Sequence, residues 1–180
     1  MSHKAQLQFC HKVRERFPKY FKKVRVFDGG SLDINGNNKW LFEDFDYIGC
    51  DLKEGVNVNT VCKIHEYPGA NESFDIVIST ECFEHDPNYT DSIRNMVRML
   101  KSGGLFIMSC ATTGRPEHGT MRSDGNHANP FGDGEYYKNL TEEDIRNCFF
   151  FCLPLEAVFK EFEFTTNEEA CDLYFWGIKK

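Results

Sequence analysis

The chain of 180 residues has no run of eighteen apolar residues, and its first ten residues lack the apolar core of a signal peptide. We therefore expect neither a transmembrane helix nor a secretory leader. Basic side chains are also scarce, since 21 lysines and arginines face 28 aspartates and glutamates, for a net charge of −7. Because phosphate backbones are bound by clustered basic side chains, this balance disfavours nucleic acid as a partner.

Cysteine pairs of the CxxC type are absent, although the chain contains eight cysteines. A zinc site would need tighter cysteine and histidine spacing, so the sequence predicts no metal site. Half of the cysteines lie in or beside predicted strands, where they resemble small core residues; these are Cys50, Cys62, Cys82 and Cys110. This placement favours reduced thiols and a cytoplasmic location.

The chain does contain enough apolar material for one packed domain over residues 1–180. Apolar residues make up 41% of it, and there are 17 phenylalanines. Within residues 1–23, apolar side chains at helical spacing predict an amphipathic helix over residues 5–17, which Pro18 ends.

The segment VRVFDGGSLDING, residues 24–36, joins a short apolar run to an abrupt glycine break. This pattern indicates a buried strand that runs into a tight turn, where glycine lets a ligand approach the backbone closely. A helix beginning within residues 37–44 would complete the first half of a nucleotide-binding βαβ unit. An ordinary junction between a strand and a turn would produce the same pattern.

An acidic residue, Asp51, ends the next predicted strand and lies 21 residues after Gly30. A carboxylate at this spacing can accept both hydroxyl protons of a ribose. The spacing fits the adenosine of either a nicotinamide dinucleotide or S-adenosylmethionine. A role for Asp51 as a loop cap is the alternative.

The segment FDIVIST, residues 74–80, forms the clearest predicted strand, because a continuous apolar run is typical of a parallel strand buried on both faces. It leads into the sequence ECFEH, residues 81–85. Ligands bind beyond the carboxyl ends of parallel strands, so we expect this sequence to lie beside Gly30 and Asp51. Within it, Glu84 could also cap the helix that follows.

The rest of the chain continues the alternation of strands and helices. A helix with Ile93, Met96 and Val97 on one face is predicted to close at Gly103-Gly104. A helix is expected to begin at Thr141. The further predicted strands are residues 56–62 and 105–110, with a closing antiparallel hairpin made of residues 156–164 and 172–178.

Four segments in this order resemble the class I S-adenosylmethionine-dependent methyltransferases, in particular small proteins of the type 11 kind. They are VFDGGSLDING (26–36), YIGCDL (47–52), FDIVISTECFEHDPN (74–88) and MLKSGGLFIMS (99–109). The resemblance implies an α/β fold with a Rossmann-like, seven-stranded, mostly parallel sheet, an antiparallel terminal strand and helices on both faces. It also implies S-adenosylmethionine as the cofactor.

In that family, the glycine turn holds the methionine part, the acid after the second strand holds the ribose, and backbone after the third strand flanks the adenine. This chain departs from the usual glycine motif, because Leu32 and Ile34 stand where further glycines are common. The resemblance implies the following cofactor-binding residues: Asp28, Gly29, Gly30, Ser31, Asp33, Asn35, Asp51, Leu52, Cys62, Lys63, Thr80, Glu81 and His85.

A long polar stretch, residues 111–139, follows the fifth predicted strand and leaves the ligand edge of the sheet. It carries His118, His127, Tyr136 and Tyr137, which could bind a polar acceptor or take its proton. The alternative is that this stretch is a flexible surface loop with no catalytic or binding role.

The predicted catalytic groups are His118 and His85 as proton acceptors, with Tyr136 and Tyr137 as positioning groups. A loose resemblance to methyltransferases that act on sugars predicts a small-molecule or glycan-like methyl acceptor. Two other functions stay open: a non-catalytic partner-binding module that keeps the cofactor fold, and a nicotinamide-dependent oxidoreductase. The sequence does not identify the acceptor or the oligomeric state.

Overall fold

The computed structural model describes residues 3–124, 136–150 and 153–180. The strands in these residues are β1 (Lys22–Gly29), β2 (Glu43–Asp51), β3 (Thr60–Val61), β4 (Phe74–Thr80), β5 (Leu100–Ala111), β6 (Phe159–Asn167) and β7 (Asp172–Lys179). The helices are α1 (Lys4–Arg16), α2 (Tyr89–Met99), α3 (Met121–Asp124), α4 (Glu142–Phe150) and α5 (Leu155–Val158). None of the helices described here has the length and apolar character that a membrane crossing needs.

The seven strands form one sheet in the order β3-β2-β1-β4-β5-β7-β6. Strands β1 to β5 run parallel, whereas β7 is antiparallel to both β5 and β6. The predicted fold class, with its antiparallel terminal strand, is thus confirmed. Because Asp172 of β7 pairs with Ala111 of β5, the start of β7 lies at the same edge as the carboxyl ends of the parallel strands.

The central strand β4 supplies both cores of the molecule. Ile76 and Ile78 pack in the core that includes residues of α1, whereas Val77 packs in the core that includes residues of α2 and α4. All three side chains are fully buried. Successive side chains of a strand point to opposite faces, so helices cover both sides of the sheet, as predicted.

The helix predicted within residues 37–44 is wrong. Only a single 3₁₀ turn forms there, at Lys39–Leu41, and β2 begins at Glu43. Side chains bond the loop locally: the Asp33 carboxylate accepts hydrogen bonds from the Gly36 amide at 2.7 Å and the Asn37 side chain at 2.8 Å. The Asn37 side chain in turn accepts one from the Lys39 amide at 2.9 Å. Such bonds compete with helix formation.

The predicted helix end at Gly103-Gly104 is also wrong, because α2 already ends at Met99 and both glycines lie inside β5. A Cβ at Gly104 would lie 2.8 Å from the Lys101 carbonyl oxygen and 2.9 Å from that of Asp75. Glycine at position 104 therefore permits close packing of β5 against the start of β4 and does not form a helix cap.

Two further boundaries differ from the sequence prediction. The third strand is only Thr60–Val61, because the Val56 carbonyl instead accepts a hydrogen bond from the Asp33 amide at 3.1 Å, which ties this segment to the glycine loop. The closing hairpin is confirmed as antiparallel, but its first strand begins at Phe159, after the short helix α5.

Candidate active site

A cleft opens at the carboxyl edge of the sheet, next to the glycine turn after β1. The lining of the cleft includes six of the predicted cofactor-binding residues. It also includes Tyr136, from near the end of the long polar stretch of residues 111–139. The predicted residues in the lining are Gly30, Asp51, Leu52, Cys62, Lys63 and His85. The lining residues that the sequence analysis missed are Ile64, Cys82, Asp86, Pro87 and Asn88. Asp86, Pro87 and Asn88 directly follow His85 in the segment that carries the family resemblance. Their place in that segment was the signal from which they could have been predicted.

The turn after β1 requires glycine at position 30 for two reasons. Gly30 has a φ of +79°, which L side chains rarely adopt. A Cβ there would lie 2.6 Å from the Cβ of Cys82 and closer still to its sulfur. The amides of Gly30 and Ser31 both donate to the Cys50 carbonyl, at 2.9 and 3.2 Å, which fixes the turn against β2.

The Asp51 carboxylate lies at the floor of the cleft and is held by backbone amides. Its Oδ2 accepts a hydrogen bond from Leu32 at 2.9 Å, and its Oδ1 accepts one from Leu52 at 2.7 Å. Asp51 is buried, and burial raises its pKa above the usual range despite these bonds. A carboxylate has about four acceptor positions, so each oxygen keeps capacity for a ribose hydroxyl.

Several predicted cofactor residues lie outside the lining of the cleft. Asp28 is buried behind the turn and accepts hydrogen bonds from Asn38 at 3.1 Å and Tyr47 at 2.8 Å; burial raises its pKa to about 7. Asp33 holds the glycine loop together, as described above. The remaining residues of this group are Gly29, Ser31, Asn35, Thr80 and Glu81, and a direct cofactor contact for any of them stays a prediction.

Glu81 belongs to a separate ionic cluster that joins the start of α1 to the sheet. Its Oε1 accepts a hydrogen bond from Ser109 at 2.8 Å, and His3 Nε2 lies 3.5 Å from its Oε2. The same His3 nitrogen lies 2.9 Å from Asp172, whose other oxygen accepts from Arg115 at 2.9 Å. Two buried carboxylates are therefore balanced by two basic side chains, which we call the α1 latch.

The α1 latch makes stability depend on pH in a defined direction. The hydrogen bond to Asp172, and then that to Glu81, raise the pKa of His3 from 6.5 to about 9. A histidine with a raised pKa in the folded state stabilises fully below 6.5 and loses that contribution as pH rises through about 9. We expect the melting temperature of the wild type to exceed that of His3→Gln at pH 6, and the difference to vanish by about pH 10. A difference that stays constant across this range would contradict the latch.

Three rings lie together beside the cleft. The ring centroids of His85 and His118 are 5.0 Å apart, and Tyr137 lies 5.4 Å from His85 and 5.0 Å from His118. The predicted histidines are thus brought together, with Tyr136 in the cleft lining next to them. His127 lies outside the described residues.

Both histidines of this ring cluster are neutral near pH 7. Burial lowers the pKa of His85 to about 3 and also lowers that of His118. Nδ1 of His118 lies 3.1 Å from the Pro116 carbonyl oxygen. Because a carbonyl oxygen only accepts hydrogen bonds, Nδ1 carries the proton and Nε2 carries the lone pair.

Glu84 is the least satisfied polar side chain near the rings. It is fully buried, and neither carboxylate oxygen has a hydrogen-bond partner among the described residues. Burial, followed by the nearby charge of Glu81, raises the pKa of Glu84 to about 8. The helix-cap role is not seen for Glu84, because α2 begins only at Tyr89.

Comparison with known families agrees with this geometry. Residues 42–108 match the model of the methyltransferase domain family, a stretch that includes β2, β4, α2 and most of β5. Comparison with curated protein sequences gives no significant match.

Several solved structures share the fold over nearly the whole chain, and two of the three described next are named as methyltransferases. The 1,6-didemethyltoxoflavin-N1-methyltransferase of Burkholderia thailandensis, with bound S-adenosylhomocysteine, is 16% identical, with a TM-score of 0.65 over 98% of this chain and 78% of that chain. The YcgJ protein of Bacillus subtilis is 14% identical, with a TM-score of 0.64 over 97% and 99%. A possible histamine N-methyltransferase of Thermotoga maritima is 16% identical, with a TM-score of 0.62 over 98% and 89%.

The strand order with its antiparallel β7 is the arrangement that the sequence resemblance implied, and the cleft lies at the carboxyl edge of the parallel strands, where open α/β sheets bind ligands. The family match, the fold and the four sequence segments agree. Residues 42–108 therefore match the methyltransferase domain family, and the chain as a whole has the fold of class I S-adenosylmethionine-dependent methyltransferases.

Proposed function

We propose that the protein transfers the methyl group of S-adenosylmethionine to a hydroxyl or amine of a small polar, sugar-like or glycan-like acceptor. The observation that carries this proposal is the ring cluster of His85, His118 and Tyr137 directly beside the cofactor cleft. Aromatic faces and imidazole nitrogens together suit an acceptor with apolar ring surface and polar groups.

The cofactor would lie along the cleft with its ribose at Asp51 and its methionine part at the Gly30 turn. The adenine would then lie against Cys62, Lys63 and Ile64, which form the far wall of the cleft. His85 lines the cleft and also belongs to the ring cluster, so it marks the point where cofactor and acceptor would meet.

For methyl transfer the protein mainly has to align the acceptor, the methyl carbon and the sulfur, because the methyl group on the sulfonium is already activated. The acceptor lone pair attacks the methyl carbon, the carbon–sulfur bond breaks, and S-adenosylhomocysteine leaves. Holding the reactants in line can lower the barrier by ~7–11 kcal/mol. A hydroxyl acceptor also loses a proton, which the free lone pair on Nε2 of His118 can take.

The nature of the acceptor differs among structural relatives. The Burkholderia enzyme was crystallised with 1,6-didemethyltoxoflavin, and the Thermotoga protein is described as a possible histamine N-methyltransferase. Both descriptions concern small polar molecules, which supports a small acceptor here as well. The seven cysteines within the described residues are free thiols, which supports a cytoplasmic location.

A methyl-transfer assay with a panel of sugars and amines tests the proposal. We expect His118→Gln to lower the transfer rate by about 10²–10⁴-fold, as loss of a proton acceptor does, with unchanged affinity for S-adenosylhomocysteine. His11→Gln is the matched control, because His11 lies on α1 against Trp40, away from the cleft. Wild-type protein that binds S-adenosylhomocysteine but methylates nothing in the panel would favour the non-catalytic module instead.

A further inference from the structure

A buried glutamate, Glu84, lies beside two imidazoles at the edge of the cleft, and none of the described ion pairs includes it. Ligand atoms of Glu84, His85 and His118 all lie within 4.8 Å of one another. Glu84 is 0% exposed, and both of its oxygens lack a hydrogen-bond partner among the described residues. Nε2 of His118 is buried and likewise has no partner there.

Burial of an unpaired carboxylate is costly, and proteins compensate by a proton, a basic side chain or a metal ion. The neighbouring α1 latch shows the second solution, because His3 and Arg115 balance Glu81 and Asp172. Glu84 has no such basic partner, because none of the ion pairs among the described residues includes it. The negative charge of nearby Glu81 further favours a cation at this position.

The donor set indicates which cation would fit. Two imidazoles and one carboxylate are the ligands that Zn²⁺ and related divalent transition metals use in sites with open positions, whereas Mg²⁺ prefers oxygen alone. Metal ligation needs an imidazole nitrogen with a free lone pair, and Nε2 of His118 carries one because its Nδ1 donates to the Pro116 carbonyl. The spacing of cysteines and histidines in the sequence predicted no zinc site, because His85 and His118 are 33 residues apart and only the fold brings them together.

We propose that Glu84, His85 and His118 form a binding site for one divalent transition-metal cation at the acceptor side of the cleft. Three protein ligands leave open coordination positions, which could take an oxygen or nitrogen of the acceptor. In the loaded protein the metal would lower the pKa of a bound acceptor hydroxyl, whereas in the metal-free protein His118 would take the proton of that hydroxyl. Cation binding and methyl transfer are separate properties, so either proposal can fail alone.

Titration of the purified, chelator-treated chain with Co²⁺ tests the site, because the visible absorption of Co²⁺ reports its ligands and geometry. We expect one Co²⁺ per chain in the wild type and at least about 100-fold weaker binding in His118→Gln and Glu84→Gln, since each removes a ligand. Mg²⁺ should not compete with Co²⁺ at equal concentration. His11→Gln should bind as the wild type does.

Binding of S-adenosylhomocysteine, measured on the same samples, reports whether the fold and the cofactor cleft are intact. His118 lies on a loop and is half-buried, so its variant keeps the test valid even where Glu84→Gln fails to fold. Wild-type protein that binds S-adenosylhomocysteine but no Co²⁺ would overturn the metal site and leave the proposed methyl transfer intact. Co²⁺ binding that survives in His118→Gln would also overturn it, because the cation would then lie elsewhere.

Discussion

Asp51→Ala is expected to weaken the binding of S-adenosylhomocysteine by about 100-fold. The carboxylate lies in the cleft lining at the end of β2, and both of its oxygens accept hydrogen bonds from backbone amides while keeping capacity for a ribose hydroxyl. Hydrogen bonds to a charged group contribute ~1.5–3 kcal/mol each, so loss of two such bonds justifies an effect of this size. Isothermal titration of both proteins with S-adenosylhomocysteine measures it.

The same carboxylate also supports the loop at Leu32 and Leu52, so a control must separate a ribose contact from a structural role. Analogues of S-adenosylhomocysteine that lack the 2′- or 3′-hydroxyl provide it. We expect them to bind the wild type more weakly, and Asp51→Ala to bind them no worse than the parent compound. Asp46→Ala, on the exposed part of β2 where Asp46 pairs with Arg25 at 2.9 Å, should bind as the wild type does. Equal discrimination against the analogues in Asp51→Ala and the wild type would exclude the ribose contact.

The parts of the fold that follow from local patterns could be predicted from the sequence. β4 was predicted at residues 74–80 and is found at Phe74–Thr80, because a strand buried on both faces needs a continuous apolar run. The glycine turn and the acid after β2 were also predicted, and both line the same cleft. The rule that parallel strands end at one edge was enough to bring these distant residues together.

The helix predicted within residues 37–44 was wrong because side chains there form hydrogen bonds with nearby backbone amides. Residues 37–44 contain apolar side chains at plausible helical positions, but Asp33 and Asn37 satisfy the local amides and leave only a 3₁₀ turn. Periodicity carries no information about such bonds. The same local bonding gives Asp33 a part in shaping the loop, and its predicted contact with the cofactor stays a prediction.

The polar clusters could be predicted only in part. Sequence reasoning singled out His85 and His118, since both follow strands that end at the ligand edge, and the structure places their rings 5.0 Å apart. It did not predict the α1 latch, because His3, Glu81 and Asp172 come from the beginning, the middle and the end of the chain. Only the pairing of Asp172 with Ala111, a consequence of the antiparallel β7, brings Asp172 to this edge.

Gly30→Ala is expected to destabilise the protein by about 2–5 kcal/mol and to abolish binding of S-adenosylhomocysteine. Two costs add: a left-handed backbone costs an L residue ~1–2 kcal/mol, and forced overpacking costs ~1–3 kcal/mol. The backbone cost arises because Gly30 has a φ of +79°. The overpacking cost arises because the new Cβ would lie 2.6 Å from the Cβ of Cys82. Because single domains are stable by only ~5–15 kcal/mol, urea unfolding should detect the change easily.

A second glycine separates the two costs. Gly103 has a φ of +75°, but a Cβ there would meet no atom within 4 Å, so Gly103→Ala should show the backbone cost alone, ~1–2 kcal/mol. The difference between the two variants then measures the clash with Cys82. Adding Cys82→Gly to Gly30→Ala should remove that difference, which a double-mutant cycle measures as a favourable coupling. Equal losses of stability in Gly30→Ala and Gly103→Ala would show that Cys82 does not restrict the turn. The side chain of Cys82 in the cleft lining would then be able to shift when a ligand binds.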